Sequence, residues 1–103
     1  MKSNLKRAPS VMGPWTRSRD ELTVTAVDTS GLVRVTLRRL TPGTGNNWGW
    51  RVETRDQDAP AGQDWRTVGF NARLDTFEHA KAQALRRAFD EIQRVNVWWA
   101  SPD

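Results

Sequence analysis

"NNWGWRVETRD", residues 46–56, carries two tryptophans one residue apart and then arginines on the opposite parity. Successive side chains of an extended strand point to opposite faces. Trp48, Trp50, Val52 and Thr54 then share one face, and Gly49, Arg51, Glu53 and Arg55 share the other. Whether the tryptophan face is a core or a binding surface decides how the rest of the chain is read.

The neighbouring stretches repeat the pattern. "ELTVTAV" (21–27) alternates and is rich in β-branched residues, so it reads as a strand. "DTSG" (28–31) is a turn, and "LVRVTLRRL" (32–40) is a second strand that closes a hairpin. The third strand is "WGWRVETR" (48–55), reached through the turn residues of "TPGTGNN" (41–47). A polar loop, "DQDAPAGQD" (56–64), leads to a fourth strand, "WRTVGFNARL" (65–74). Val33, Val35 and Leu37 oppose Arg34, Thr36 and Arg38. Val68, Phe70, Ala72 and Leu74 oppose Trp65, Thr67, Gly69, Asn71 and Arg73. Leu22, Val24 and Ala26 oppose Thr23 and Thr25.

The apolar period then changes from 2 to about 3.6. Asp75 reads as an N-cap with Glu78 three residues on, the spacing of a capping box. Residues 76–95 read as one helix, with Phe77, Ala80, Ala84, Leu85, Ala88, Phe89, Ile92 and Val95 along one side. The expected fold is α+β: a four-stranded antiparallel sheet (β-β-β-β-α) with one C-terminal helix packed on one face. The small residues Ala80, Ala84 and Ala88 leave room for Trp48 and Trp50, so the tryptophan face is the core face. Each buried tryptophan removes roughly 150–250 Å² from water, about 4–6 kcal/mol gross. The chain has six tryptophans, and a few such large residues can support a small core despite 37% hydrophobic residues.

At 103 residues the chain is one domain. Residues 1–19 form a basic N-terminal arm, expected to be flexible except where Trp15 pins its end to the body; 20–97 form the α+β body; 98–103 form a tail. The arm holds Lys2, Lys6, Arg7, Arg17 and Arg19 and no acid, while the remainder carries eleven basic groups against twelve acidic, giving the net +4. There is no cysteine, hence no disulfide framework. The N-terminus lacks the apolar stretch of a signal peptide, and no apolar run is long enough to span a membrane. A cytoplasmic protein is expected.

One helix covers one face of the sheet, leaving the other for water or a partner. That face holds Arg34, Arg38, Arg51, Arg55 and Arg73 against Glu53, with threonines and Asn71 interspersed and Trp65 at one end. Arginine presents forked donors to phosphate and to guanine edges, and stacks on bases. Such a face, with the basic arm, fits nucleic acid. It also fits a protein partner, and charged sheet faces with no specific ligand exist.

Residues 48–94, "WGWRVETRD", a polar loop, "WRTVGF" and "LDTFEHAKAQALRRAFDEI", resemble the three-stranded-sheet-plus-helix DNA-binding domains of the plant ethylene-response-factor and integrase arm-binding types. The resemblance implies a sheet docked in a major groove, with Arg51, Arg55 and Trp65 facing duplex DNA. The chain departs from that pattern in its fourth strand, in "NAR" (71–73), and in the core parity of Trp48 and Trp50. The helix also looks like the last helix of double-stranded-RNA-binding domains. More broadly, the chain is similar to small proteins of actinobacteria and their phages. That likeness implies an accessory role, or a phage-encoded modulator or inhibitor of a host protein.

Catalytic constellations are missing from the sequence. His79 is the one histidine, in the first turn of the helix. "DQD" (56–58) reads as a turn rather than a cation site, and "TPGTGNN" lacks the Lys-Ser/Thr of a phosphate-binding loop. No enzyme activity, metal or cofactor is expected. Trp98 and Trp99 follow the expected helix and are candidates for a protein interface, including a weak homodimer.

Overall fold

The computed structural model describes residues 9–19, 22–39, 47–56 and 65–100, with the backbone alone at residue 73 and at 97–100. Five strands, β1 (Thr16–Arg17), β2 (Thr23–Val27), β3 (Val33–Arg39), β4 (Trp48–Thr54) and β5 (Arg66–Leu74), precede one helix, α1 (Phe77–Ala100). The strands form one antiparallel sheet in the order β1-β2-β3-β4-β5. The α+β class and the C-terminal helix are as the sequence implies. The sheet has five strands rather than four, because the arm supplies the short β1.

The tryptophan face is the core. Val24, Ala26, Val33, Val35, Leu37, Trp48, Val52 and Leu74 are buried on the side of the sheet that carries α1, which presents Ala80, Ala84, Ala88 and Ile92. The helix crosses β3, β4 and β5. The three alanines are fully buried, so the helix axis approaches the sheet closely and the large rings sit to the sides. Trp48 meets Phe77 edge-on, centroids 5.0 Å apart at 71°. Trp50 is half-buried, and its Nε1 donates to Gln83 Oε1 at 3.0 Å.

The N-terminal segment departs from a free arm. From Ser10 onward it runs along β2 as the edge of the sheet: Thr29 N donates to Val11 O at 2.8 Å, Gly13 N to Val27 O at 2.9 Å, and Ser18 N to Thr23 O at 2.8 Å. Met12 and Trp15 pack against the core, and the Lys81 ammonium lies 5.7 Å from the Trp15 ring centre. Gly13 is required by close approach, since a Cβ there would stand 2.5 Å from Val27 O.

Asp28 organises the β2–β3 turn. It is buried, and its Oδ1 accepts from Leu32 N at 3.0 Å and Val33 N at 2.9 Å. Its Oδ2 accepts from the hydroxyls of Ser10 and Ser30. Gly31 turns the chain at φ +80°, a conformation glycine adopts at no steric cost. Ser10 also ties the edge segment to the helix, its N donating to Asn96 Oδ1 at 2.7 Å.

The helix begins one residue later than the capping-box spacing implies. Thr76 Oγ1 accepts from His79 N at 3.0 Å, so Thr76, not Asp75, is the N-cap. It ends at Ala100 rather than near residue 95, which places Trp98 and Trp99 in its last turn instead of a tail; their side chains are outside the described part. Phe89, which the periodicity assigns to the core side, is 58% exposed on the flank of the helix. Among the described residues, no helix is long and apolar enough to cross a membrane.

Candidate nucleic-acid interface

Residues opposite each other in antiparallel strands share a face. The register therefore maps the uncovered face in three rows. One row is Thr23, Arg38 and Gly49. A second runs across the whole sheet through Thr16, Thr25, Thr36, Arg51 and Phe70. A third is Val27, Arg34, Glu53 and Thr67.

Phe70 is the correction. Strict alternation puts Val68, Phe70 and Ala72 with Leu74 on the core face, and Gly69 and Asn71 on the open one. The pairing of β4 with β5 instead shifts between Trp48 and Trp50 and again between Val52 and Glu53. Trp48 pairs with Leu74 but Trp50 with Asn71, so β5 holds two residues, Ala72 and Arg73, against Gly49 alone. That extra residue is a β-bulge, and it exchanges the faces of the residues before it. Asn71 and Gly69 consequently turn to the helix. Asn71 Nδ2 donates to Gln83 Oε1 at 3.3 Å, and the Arg87 chain crosses Gly69 with Nε donating to Val68 O at 3.1 Å. Phe70 turns outward and is 72% exposed. The isolated Gly69 was the available sequence signal, because a glycine inside a strand marks a bulge or a close backbone approach.

The arginines of this face divide into two groups. Arg34 is engaged: its guanidinium contacts Glu53 Oε1, with Nε at 2.9 Å and Nη2 at 2.8 Å, and lies 4.3 Å above the Trp65 ring. Arg55 donates from Nε to Gly31 O at 3.1 Å and lies 5.8 Å from the same ring. These two cations brace Trp65 and the β2–β3 turn. Arg38 and Arg51 are exposed. Arg51 reaches Glu53 Oε1 only at 3.7 Å, and among the described residues Arg38 has no ion pair. Glu53 is almost fully buried and is bonded more closely by Arg34 than by Arg51.

Arg38, Arg51, Thr36, Gly49, Phe70 and Ala72 line a concavity of about 460 Å³ on this face. Cation, hydroxyl and aromatic surface converge there, with no titratable pair or nucleophile suited to chemistry.

The other sequence-derived site residues lie elsewhere. Arg17 pairs with Val24, a core-face residue, and so stands on the helix side of the sheet. Arg19 is exposed in the turn between β1 and β2. The Arg73 side chain lies outside the described part, as do Lys2, Lys6 and Arg7.

Comparison of the chain with protein-family models, with curated proteins and with solved structures gave no match. The fold and the face therefore carry the functional reading by themselves.

Proposed function

We propose that this protein is a non-catalytic nucleic-acid-binding protein whose ligand lies on the open face of β3, β4 and β5. The observation that carries the reading is the pair Arg38 and Arg51, exposed beside an aromatic ring on the sheet face opposite α1, while among the described residues the neighbouring acid, Glu53, is bonded more closely by Arg34 than by Arg51. Threonine hydroxyls along the same rows supply further phosphate donors. Three neighbouring strands backed by a helix are also the layout implied by the resemblance of residues 48–94. Arg55 and Trp65, which that resemblance would aim at duplex DNA, here brace each other. Lys2, Lys6 and Arg7 would add contacts from the N-terminal side.

A titration against labelled nucleic acid at several salt concentrations tests this. Arg38→Ala with Arg51→Ala should abolish most binding without changing the melting temperature, since both side chains are exposed. Two lost phosphate contacts should make the log–log salt slope shallower by about 1.4–1.8. Removing residues 1–8 should also make the slope shallower, whereas removing 1–19 strips β1 and should destabilise the body. Failure to bind any nucleic acid at tens of micromolar in about 50 mM salt would refute the reading.

The second reading is a protein-interaction module. Phe89 favours it, since a ring 58% exposed on a helix flank is an apolar anchor with no cover among the described residues. A stoichiometric protein partner that survives nuclease and high salt, and is lost on Phe89→Ser, would put this reading first.

A further inference from the structure

Phe70 is the exposed aromatic ring that the described residues present on the open face, and a ring on a basic sheet selects between the paired and unpaired forms of a nucleic acid. We infer that the ligand is single-stranded, with one unpaired base stacked on Phe70 and its flanking phosphates held by Arg38 and Arg51. This rests on the nucleic-acid reading above and narrows it.

Phe70 stands in the row Thr25, Thr36, Arg51, Phe70, directly across from Arg51 on the neighbouring strand. Opposed Cα atoms of such a pair are about 4.5–5.5 Å apart. The guanidinium thus has the reach to hold a phosphate of the nucleotide whose base covers the ring. At 72% exposure the ring leaves a π-surface with no stacking partner among the described residues. Trp65 is no substitute, because the Arg34 guanidinium already occupies the space 4.3 Å from its ring centre. The concavity of about 460 Å³ is of the size that takes small-molecule ligands, and hence a nucleoside.

A duplex cannot use these features. Its bases are stacked on one another and offer edges, not faces, to a sheet in the major groove. Reading edges calls for arginines free to extend. Arg34 and Arg55, two of the four described on this face, are tied to Glu53 and Gly31 and cannot extend without giving up those bonds. A phenylalanine projecting from the edge strand β5 would also hold a duplex off that side of the sheet. An unpaired strand reverses each point: its bases are free to splay, every base has a π-face, and few cations suffice.

The experiment is fluorescence anisotropy at about 50 mM salt with labelled oligomers of about 12 nucleotides: oligo-dT, oligo-rU, and a duplex of equal length. Wild type, Phe70→Ala and Phe70→Trp are compared, with melting temperatures checked alongside. The single strands should bind more tightly than the duplex. Phe70→Ala should weaken single-strand binding about 5- to 150-fold and leave duplex binding within about twofold, while Phe70→Trp should retain affinity. The tighter of the two single strands identifies the sugar. Duplex binding equal to or stronger than single-strand binding would overturn this inference while leaving the protein a nucleic-acid binder. So would single-strand binding indifferent to Phe70→Ala. Absence of binding to all three probes would overturn the broader reading as well.

Discussion

Two aromatic residues that strand parity treats alike should respond in opposite ways to truncation. Trp48 and Phe70 both fall on the apolar side of strictly alternating strands, yet Trp48 is 9% exposed and Phe70 72%. A buried indole withdraws roughly 150–250 Å² from water, or about 4–6 kcal/mol gross at about 25 cal/mol/Å². Alanine keeps part of that and the cavity partly collapses, so Trp48→Ala should cost about 3–5 kcal/mol. The edge-on contact with Phe77 at 5.0 Å lies within that loss. Against a total stability of about 5–15 kcal/mol, the variant should unfold at far lower urea or be largely unfolded at the start. Phe70→Ala should fall within about 0.5 kcal/mol of wild type, as exposed substitutions do. Urea titration followed by far-ultraviolet circular dichroism measures both, avoiding the tryptophan fluorescence that the first variant alters. Equal destabilisation by the two variants would mean that β5 has no bulge and that Phe70 points into the core. A cost below about 1 kcal/mol for Trp48→Ala would remove the tryptophan face from the core altogether.

Other parts of the fold give equally direct outcomes. Asp28→Ala strips the acceptor from two backbone N–H groups and two hydroxyls, and should cost at least about 1.5–3 kcal/mol in thermal or urea unfolding, with Asp28→Asn recovering part of it. Gly13→Ala would set a Cβ against Val27 O, so it should release the edge segment. Amide exchange at Gly13, Ser18 and Thr29 should then accelerate while that of β3 and β4 stays slow. Asp56 titrates below the ordinary carboxylate value because Arg66 bonds to it, at 3.1 Å, and attracts its charge. Its depressed folded value means that the pair's contribution is present above about pH 3.9 and fades as pH falls through the lower folded value. A carbon-detected NMR titration should show that midpoint rise in Arg66→Ala.

Regular alternation made most of the sheet legible. Val33, Val35 and Leu37 are fully buried as their parity requires, and β2 to β5 start and stop within two residues of the sequence reading. The helix was legible from Phe77 through Ile92 because its alanine stripe faces the sheet. Three features were not legible, each because a long-range contact outweighed a local signal. Residues 10–19 contain proline and glycine and no period, but Met12 and Trp15 find the core and Asp28 provides acceptors for the edge segment. Phe89 fits the apolar period, but α1 is turned so that its alanine stripe meets β3, β4 and β5 and Phe89 stands on the exposed flank. Charge counting placed Arg34 and Arg55 with Arg38 and Arg51, although the pairing with Glu53 and the stacking on Trp65 depend on side-chain positions that spacing does not give.

The bulge at Ala72 and Arg73 joins the fold to the proposed function. Without it, Phe70 and Ala72 would pack under α1 and Asn71 would join the arginines, giving a uniformly polar open face. With it, Asn71 turns inward, where Gln83 accepts from both Asn71 and Trp50, and Gly69 makes room for Arg87. These contacts satisfy the polar group that the face exchange brings inside, so the bulge leaves Asn71 and Trp50 with a hydrogen-bond partner. The exchanged aromatic then lies among exposed cations, where a folded core gains nothing from it. An exposed phenylalanine on an edge strand costs solubility and invites association. Retaining it beside Arg38 and Arg51 makes physical sense where a ligand covers the ring, and the face of an unpaired base matches both the ring and the charge around it.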